Sequence, residues 1–191
     1  MYTSLLTDAT LFEAFLAIDR ELATTAQARG CLHCEGRLHH SDYPRKPRGG
    51  PAELPGADRR TSFCCARCRT RLTPPSARFL GRRVNLGAIV VLACVLRYGP
   101  SPMRVARLRE LLGVSADTLR RWHHWWCRRF TQTPVWKAMR GRLARPLCEA
   151  ALPREWLEQF TGAPAAQLTA LLRFLTPLTT TSAGTLGEGA C

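Results

Sequence analysis

Two short cysteine runs are the residues best suited to chemistry in this chain. Cys31-Leu32-His33-Cys34 is followed some thirty residues later by Cys64-Cys65-Ala66-Arg67-Cys68. Each Cys-x-x-Cys pair turns two sulfurs toward a common point, and tetrahedral Zn²⁺ takes four such soft ligands. In a chain with nine Cys, paired spacing of this kind points to a metal before a disulfide. The expected ligands are Cys31, Cys34, Cys65 and Cys68, and the expected cofactor is a structural Zn²⁺. Four thiolates close the coordination sphere, so such an ion would hold structure and activate no water. Cys64 remains an alternative third ligand, because Cys64 and Cys68 also form a workable chelate. His33, His39 and His40 lie near enough in sequence to substitute, but read as surface groups. Cys94, Cys127, Cys148 and Cys191 stand alone, and Cys94 reads as core filling.

The second set of residues is cationic. The 191 residues carry 28 Lys+Arg against 14 Asp+Glu, a net charge of +14. Only Lys46 and Lys137 are lysines. Residues 59–145 hold 20 of these cations and just two acids, Glu110 and Asp117, whereas both ends are mildly acidic. An ordinary surface interleaves the two signs. This segregation points to a polyanionic partner. Within the block, residues 101–130 read as two helices. Ser101 can cap the first, with Pro102 in its first turn and Val105, Leu108, Leu111 and Leu112 facing inward. Gly113 allows a sharp turn, and Ser115 can cap the second helix. There Leu119, Trp122, Trp126 and Phe130 form a buried stripe. Arg120, His124 and Arg128 are left on one exposed ridge, and Arg121, Trp125 and Arg129 on the next. Such a face suits a groove lined by phosphates, so double-stranded DNA is the expected partner. The expected DNA contacts are Arg82, Arg83, Arg104, Arg107, Thr118, Arg120, Arg121, His124 and Arg128. Asp117 complements the helix dipole, or could accept from a cytosine amine.

Other elements must position these groups. A helix is expected over 8–28, opened by a Thr10-x-x-Glu13 capping box and stopped at Gly30, with Leu11, Phe12, Phe15, Leu16 and Ile18 inward. Further helices are expected over 83–97, 133–145, 153–160 and 165–175. Residues 41–62 are Pro/Gly-rich and read as an irregular loop with no core of its own. The fold class is mainly α with a small β zinc ribbon, a helix-turn-helix three-helix core and C-terminal helices. The expected units are an N-terminal helix (1–28), the ribbon (29–80), the DNA-binding helices (81–145), the C-terminal helices (146–175) and a flexible tail (176–191). Leu152, Trp156, Leu157 and Phe160, then Leu168, Leu171, Leu172 and Leu175, either pack back on the helical unit or dock a second copy or a separate partner protein. No stretch is apolar enough for a membrane span, and MYTSLLTDATLFEAF lacks the basic start of a secretory signal. A cytoplasmic, nucleoid-associated protein is expected.

Around Gly113, the apolar positions Leu108, Leu112, Val114, Leu119 and Trp122 resemble the helix-turn-helix of bacterial DNA-binding proteins. Arg109 departs from that pattern, where a small residue is usual. The order of motifs is also familiar. Cys65-x-x-Cys68 runs into Thr73-Pro74-Pro75-Ser76-Ala77-Arg78-Phe79-Leu80-Gly81-Arg82-Arg83, then an apolar helix, then Leu112-Gly113-Val114-Ser115. Over residues 29–130 this resembles the N-terminal region of insertion-sequence transposases that begin with a zinc ribbon, and implies binding to transposon-end or similar DNA. Those enzymes continue into a domain with three metal-binding carboxylates. After Asp117 this chain offers only Glu149, Glu155, Glu158 and Glu188, so a binding protein without catalysis of its own is expected. The alternatives are an RNA-binding zinc-ribbon protein, which would need exposed Trp residues for stacking, or a transcriptional regulator. A nuclease built on His39, His40 and Tyr43 lacks a carboxylate set to support it.

Overall fold

The computed structural model describes residues 2–51, 54–80, 85–96, 102–141, 143 and 145–179, the side chains at 96, 102, 104, 105 and 107 excepted. The chain is mainly helical, with small antiparallel sheets. Helix α1 spans Ala9–Arg29 and buries the five apolar residues of its stripe. Its cap differs from the expected box. Asp8 sits just outside the first turn, and its carboxylate accepts from Leu11 N at 3.1 Å, while Thr10 is already inside the helix. A short acid at that position satisfies one of the orphan N–H groups directly. The helix stops at Gly30, whose N–H bonds to Gln27 O.

Two small sheets follow. Strands β1 (Leu38–His40), β4 (Phe63–Cys65) and β5 (Arg71–Leu72) form one sheet in the order β1-β4-β5, and β2 (Tyr43–Pro44) pairs with β3 (Arg59–Arg60). The Pro/Gly-rich stretch between β1 and β4 is therefore better anchored than its composition suggests. Gly49 rests on the helical core so closely that a Cβ there would come within 2.8 Å of Ile89, and Gly50 lies against Phe12 and Leu86. Arg60 is buried beneath it and donates to Pro74 O. Absent side chains at Gly49 and Gly50, together with Leu54 against the core and a buried Ala57, let this segment pack.

Helix α2 (Gly87–Leu96) is buried on every side from Ala88 to Val95, so it carries no amphipathic pattern. It starts later than 83 because Asn85 and Leu86 are occupied in β-bridges to Arg48 and Phe79. A one-turn 3-10 helix (Ser4–Leu6) and the later helices over Ala116–His124 and Pro164–Phe174 pack around it. Helix α3 (Pro102–Leu112) turns at Gly113, which has φ +60°, into α4 (Ala116–His124). Leu108, Leu119 and Trp122 are buried, but Leu111, expected inside, is 46% exposed. Leu111 falls about 60° around the axis from Leu108, and a helix end this close to a turn buries only one ridge.

The single helix expected over 115–130 changes pitch. A π-helical turn, Trp125–Arg129, and a 3-10 turn, Phe130–Gln132, follow α4. Residues four apart on an α-helix drift about 40° around its axis. A wider turn cancels that drift, so Trp122, Trp126 and Phe130 stay buried in succession. Helix α5 (Pro134–Arg140) is capped by Thr133 and ends before 145, α6 is only Arg154–Leu157, and α7 runs Pro164–Phe174. Trp126, Phe130, Trp136, Trp156 and Phe174 form an aromatic cluster. Trp126 and Trp156 bury indole N–H groups that find no hydrogen-bond partner among the described residues, and their rings meet edge-on at 88°. That arrangement favours a ring's positive edge.

One core runs from Leu5 to Leu178 and includes Leu152, Trp156, Leu157, Leu168, Leu171, Leu172 and Leu175. Those leucines are consumed by the chain's own packing. Residues 176–179 also depart from the fraying expected there. Residues Thr176–Thr179 form a 3-10 turn that buries Leu178 and Thr179, and Thr179 Oγ1 accepts from Ser76 N at 2.8 Å; residues 180–191 of that expected tail lie outside the described residues. No helix among the described residues is long and apolar enough to cross a membrane.

Candidate metal centre and basic helix

The four expected cysteines converge. The sulfurs of Cys31, Cys34, Cys65 and Cys68 all lie within 4.8 Å of one another. Two pairs, Cys31–Cys68 and Cys34–Cys65, are 3.5 Å apart, far beyond a disulfide bond. Each knuckle follows a structural element that aims it. The first follows the end of α1 and is closed by Glu35 N donating to Cys31 O at 2.8 Å and Cys31 N donating to Gly36 O at 3.0 Å. The second is the turn between β4 and β5, closed by Arg69 N donating to Cys65 O at 3.1 Å. Backbone N–H groups point at the sulfurs, with His33 N 3.5 Å from Cys31 Sγ and Arg67 N 3.4 Å from Cys65 Sγ. A small core of Ala23, Leu38 and Phe63 backs the cluster, joined by Ala26 and Leu72.

The thiols do not share charge equally. Hydrogen bonds from the side chain and backbone of Thr70 pull the Cys68 thiol down to about 6. Cys65 is lowered by the N–H groups of Cys68 and Arg67. Cys34 feels a lowering backbone hydrogen bond from Gly36, but burial and the three neighbouring sulfurs outweigh it and push the thiol up to about 11. Full deprotonation of such a cluster needs a cation at its centre. Four thiols this close together could hold a metal ion.

Cys64 lies outside the cluster. Strand alternation turns it to the other face of the sheet, where its Sγ donates to Arg69 O at 3.6 Å. His33, His39 and His40 are exposed and lie outside the cluster. Cys94 is buried in the large core, and Cys127 packs against His123 and the Ala150 carbonyl. Cys191 lies outside the described residues.

Gly36 went unnoticed in the sequence, although the cluster is built around it. A Cβ there would meet Cys65 Sγ at 2.9 Å and Cys34 Sγ at 3.3 Å. Gly36→Ala is therefore expected to weaken metal binding by at least tenfold while removing no ligand. Competition with a chromophoric chelator measures this. Unchanged affinity would mean that the cluster can open around a methyl group.

The expected basic face on α4 is present. Ser115 Oγ accepts from Thr118 N at 3.2 Å and starts the helix. Arg120, Arg121, His124 and Arg128 are exposed on the side opposite Leu119 and Trp122. Arg120 is paired with Asp117, and Arg121 donates to Thr118 Oγ1 at 3.1 Å. Thr118 is thus half-buried and occupied in the cap. The Arg120–Asp117 pair is solvent-exposed and of small energetic weight, so a stronger anion can displace it. Trp125 is half-buried against Trp126 and Phe130 and offers no free stacking platform. Arg82 and Arg83 lie outside the described residues, as do the side chains of Arg104 and Arg107. Of the carboxylates beyond Asp117, the three described ones are used structurally, and Glu188 lies outside the described residues. Glu149 accepts from Trp136 Nε1, Glu155 from Cys148 N, and Glu158 pairs with Arg154. No family model matches this chain, and no curated protein or solved structure does either.

Proposed function

We propose that this chain is a DNA-binding protein of mobile-element type, in which a zinc ribbon and a helix-turn-helix act together on duplex DNA. The carrying observation is α4 with the π turn that continues it, which bury Leu119, Trp122 and Trp126 and turn Arg120, Arg121, His124 and Arg128 to solvent. In this reading α3–Gly113–α4 is the helix-turn-helix, and α4 enters the major groove. Guanidinium groups near its start are suited to guanine edges, and those farther along to phosphates. The order of cysteine knuckles, apolar helix and Leu112-Gly113-Val114-Ser115 supports a transposase-like origin. Binding, rather than catalysis, is the activity assigned.

Zinc suits the thiolate cluster. Zn–S bonds of about 2.3 Å in a tetrahedron place sulfurs about 3.8 Å apart. The two close pairs at 3.5 Å and the outer limit of 4.8 Å bracket that edge. Cys31, Cys34, Cys65 and Cys68 would hold the ion, which would join the end of α1 to the β4–β5 turn.

Selection of bound sequences from random duplexes, followed by gel shift, tests the reading. The full chain should enrich a defined motif. Arg120→Ala with Arg121→Ala should lower affinity for that motif by about 10- to 1000-fold and relax its sequence preference. Equal affinity and preference in the double variant would remove α4 as the reading helix.

A further inference from the structure

The cysteine module carries a second cationic surface. The β1-β4-β5 sheet has two faces. Leu38, Phe63, Cys65 and Leu72 belong to the small thiol-side core. On the other face the register places His39 opposite Cys64, and Cys64 opposite Arg71. Directly opposed residues share a face, so this row looks away from the core. The Arg37 carbonyl continues the row, accepting from Ala66 N at 2.9 Å. Arg69 joins through its carbonyl, which accepts from Cys64 Sγ. Arg67 lies beside Gly36 at the knuckles.

Arg37, Arg67, Arg69 and Arg71 are all exposed, and none of the four forms an ion pair among the described residues. From 59 to 71 the sequence holds five arginines and no acid. A Zn²⁺ with four thiolates carries two net negative charges, which two of these guanidinium groups would offset; the surplus needs another anion. The row presents no Phe, Tyr or Trp, and its one ring is the small imidazole of His39, so it is poor in stacking surface compared with its charge. It suits the phosphates of a duplex, whose charges recur along both strands.

We infer that the cysteine module, through Arg37 and Arg71 on the outer face of its sheet and Arg67 at the knuckle edge, is a second, base-blind grip on the phosphate backbone of the DNA read by α4. This rests on the function proposed above and extends it. The metal becomes a determinant of affinity, because the thiolate cluster fixes where these arginines stand. Arg69 takes a left-handed backbone conformation, with φ 60°, and is left intact in the test.

The test uses the full metal-loaded chain and measures affinity for its selected duplex over a range of salt. The variant Arg37→Gln/Arg67→Gln/Arg71→Gln keeps all four thiols, and metal stoichiometry confirms that the site is retained. Each lost phosphate contact lowers the salt slope by about 0.9, so the slope should fall by about 2.7. The wild-type advantage should then shrink about 40-fold between about 50 and about 200 mM salt, equally on selected and scrambled duplexes. An unchanged slope in a metal-loaded variant would overturn the inference and leave these arginines as counter-charges to the metal centre. The proposed function would still stand if Arg120→Ala/Arg121→Ala relaxes sequence preference. A wild-type chain that binds no duplex would overturn both.

Discussion

Removing the metal is expected to abolish the β1-β4-β5 sheet while leaving most of the helical signal in far-UV circular dichroism. The sheet cannot persist alone. Its strands are two or three residues long, and its core has five buried residues, of which Cys31 and Cys65 are themselves proposed ligands. Structural zinc sites contribute about 10–16 kcal/mol of apparent binding energy. Nothing else in the module approaches that magnitude. The helical core is different, because its buried set runs through α1, α2, α4 and α7 without any thiol ligand. Trypsin supplies a local readout: chelation should open cleavage at Arg67, Arg69 and Arg71 well before the aromatic cluster loses its fluorescence signature. Cys34→Ser should reproduce the chelated pattern. Cys64→Ser should not, since Cys64 Sγ bonds to the Arg69 carbonyl on the opposite face. Equal protection of this segment with and without chelator would disprove a metal-dependent module.

The thiol cluster was legible in the sequence because its information is local. Cysteine is rare, and a Cys-x-x-Cys turn presents both sulfurs whatever surrounds it. The α4 cap and stripe were legible for a similar reason: Ser115 and the Leu119–Trp122 spacing act within one or two turns. The pitch change after His124 was hidden because the aromatic spacing of four suits an α-helix nearly as well as a π turn. The packing of 41–62 was hidden because glycine close approach leaves no apolar signature. Gly36 is one of 14 glycines, and only the position of two distant sulfurs singles it out.

Charge was the least readable. Asp19 looks like a solvated acid on an amphipathic helix, and Arg78 like one more cation in a basic block. Both are 4% exposed and bonded to each other. Their separation of 59 residues puts the pairing beyond any local pattern. Around them Arg45, Arg60 and Arg78 lie 4.8, 6.0 and 5.1 Å from the centroid of Phe79, and burial pulls Arg60 below the usual guanidinium range. A sequence with 28 cations gives no indication of which few are taken inside.

Asp19→Ala is accordingly expected to be the most damaging single substitution outside the thiols. Asp19 Oδ2 accepts from Ser76 Oγ at 2.7 Å and Arg78 Nε at 2.8 Å, and Oδ1 accepts from Ala77 N at 2.7 Å. Arg78 in turn donates to the carbonyls of Ala57 at 3.2 Å and Arg59 at 3.1 Å. The network therefore ties α1, the Pro/Gly-rich stretch and the 3-10 turn at Thr176–Thr179, through Thr179, to one short segment. Losing one partner of a buried pair leaves the other charge uncompensated, at about 3–5 kcal/mol. Against a total stability of about 5–15 kcal/mol, that is a large share. Glu21→Ala provides the contrast, two residues along the same helix. Its partner Arg173 faces solvent, and its loss should change stability by less than about 1 kcal/mol. Asp19→Ala combined with Arg78→Met should recover part of the loss, because an apolar side chain of similar length needs no counter-charge. Thermal melts of the metal-loaded variants measure all three, and metal content separates this effect from damage to the thiol centre. Asp19 lies one helical turn before Ala23, which backs that centre, so a variant that keeps its metal but melts early isolates the ion pair. A wild-type melt for Asp19→Ala would show that water reaches Arg78 and the pair is not buried in solution.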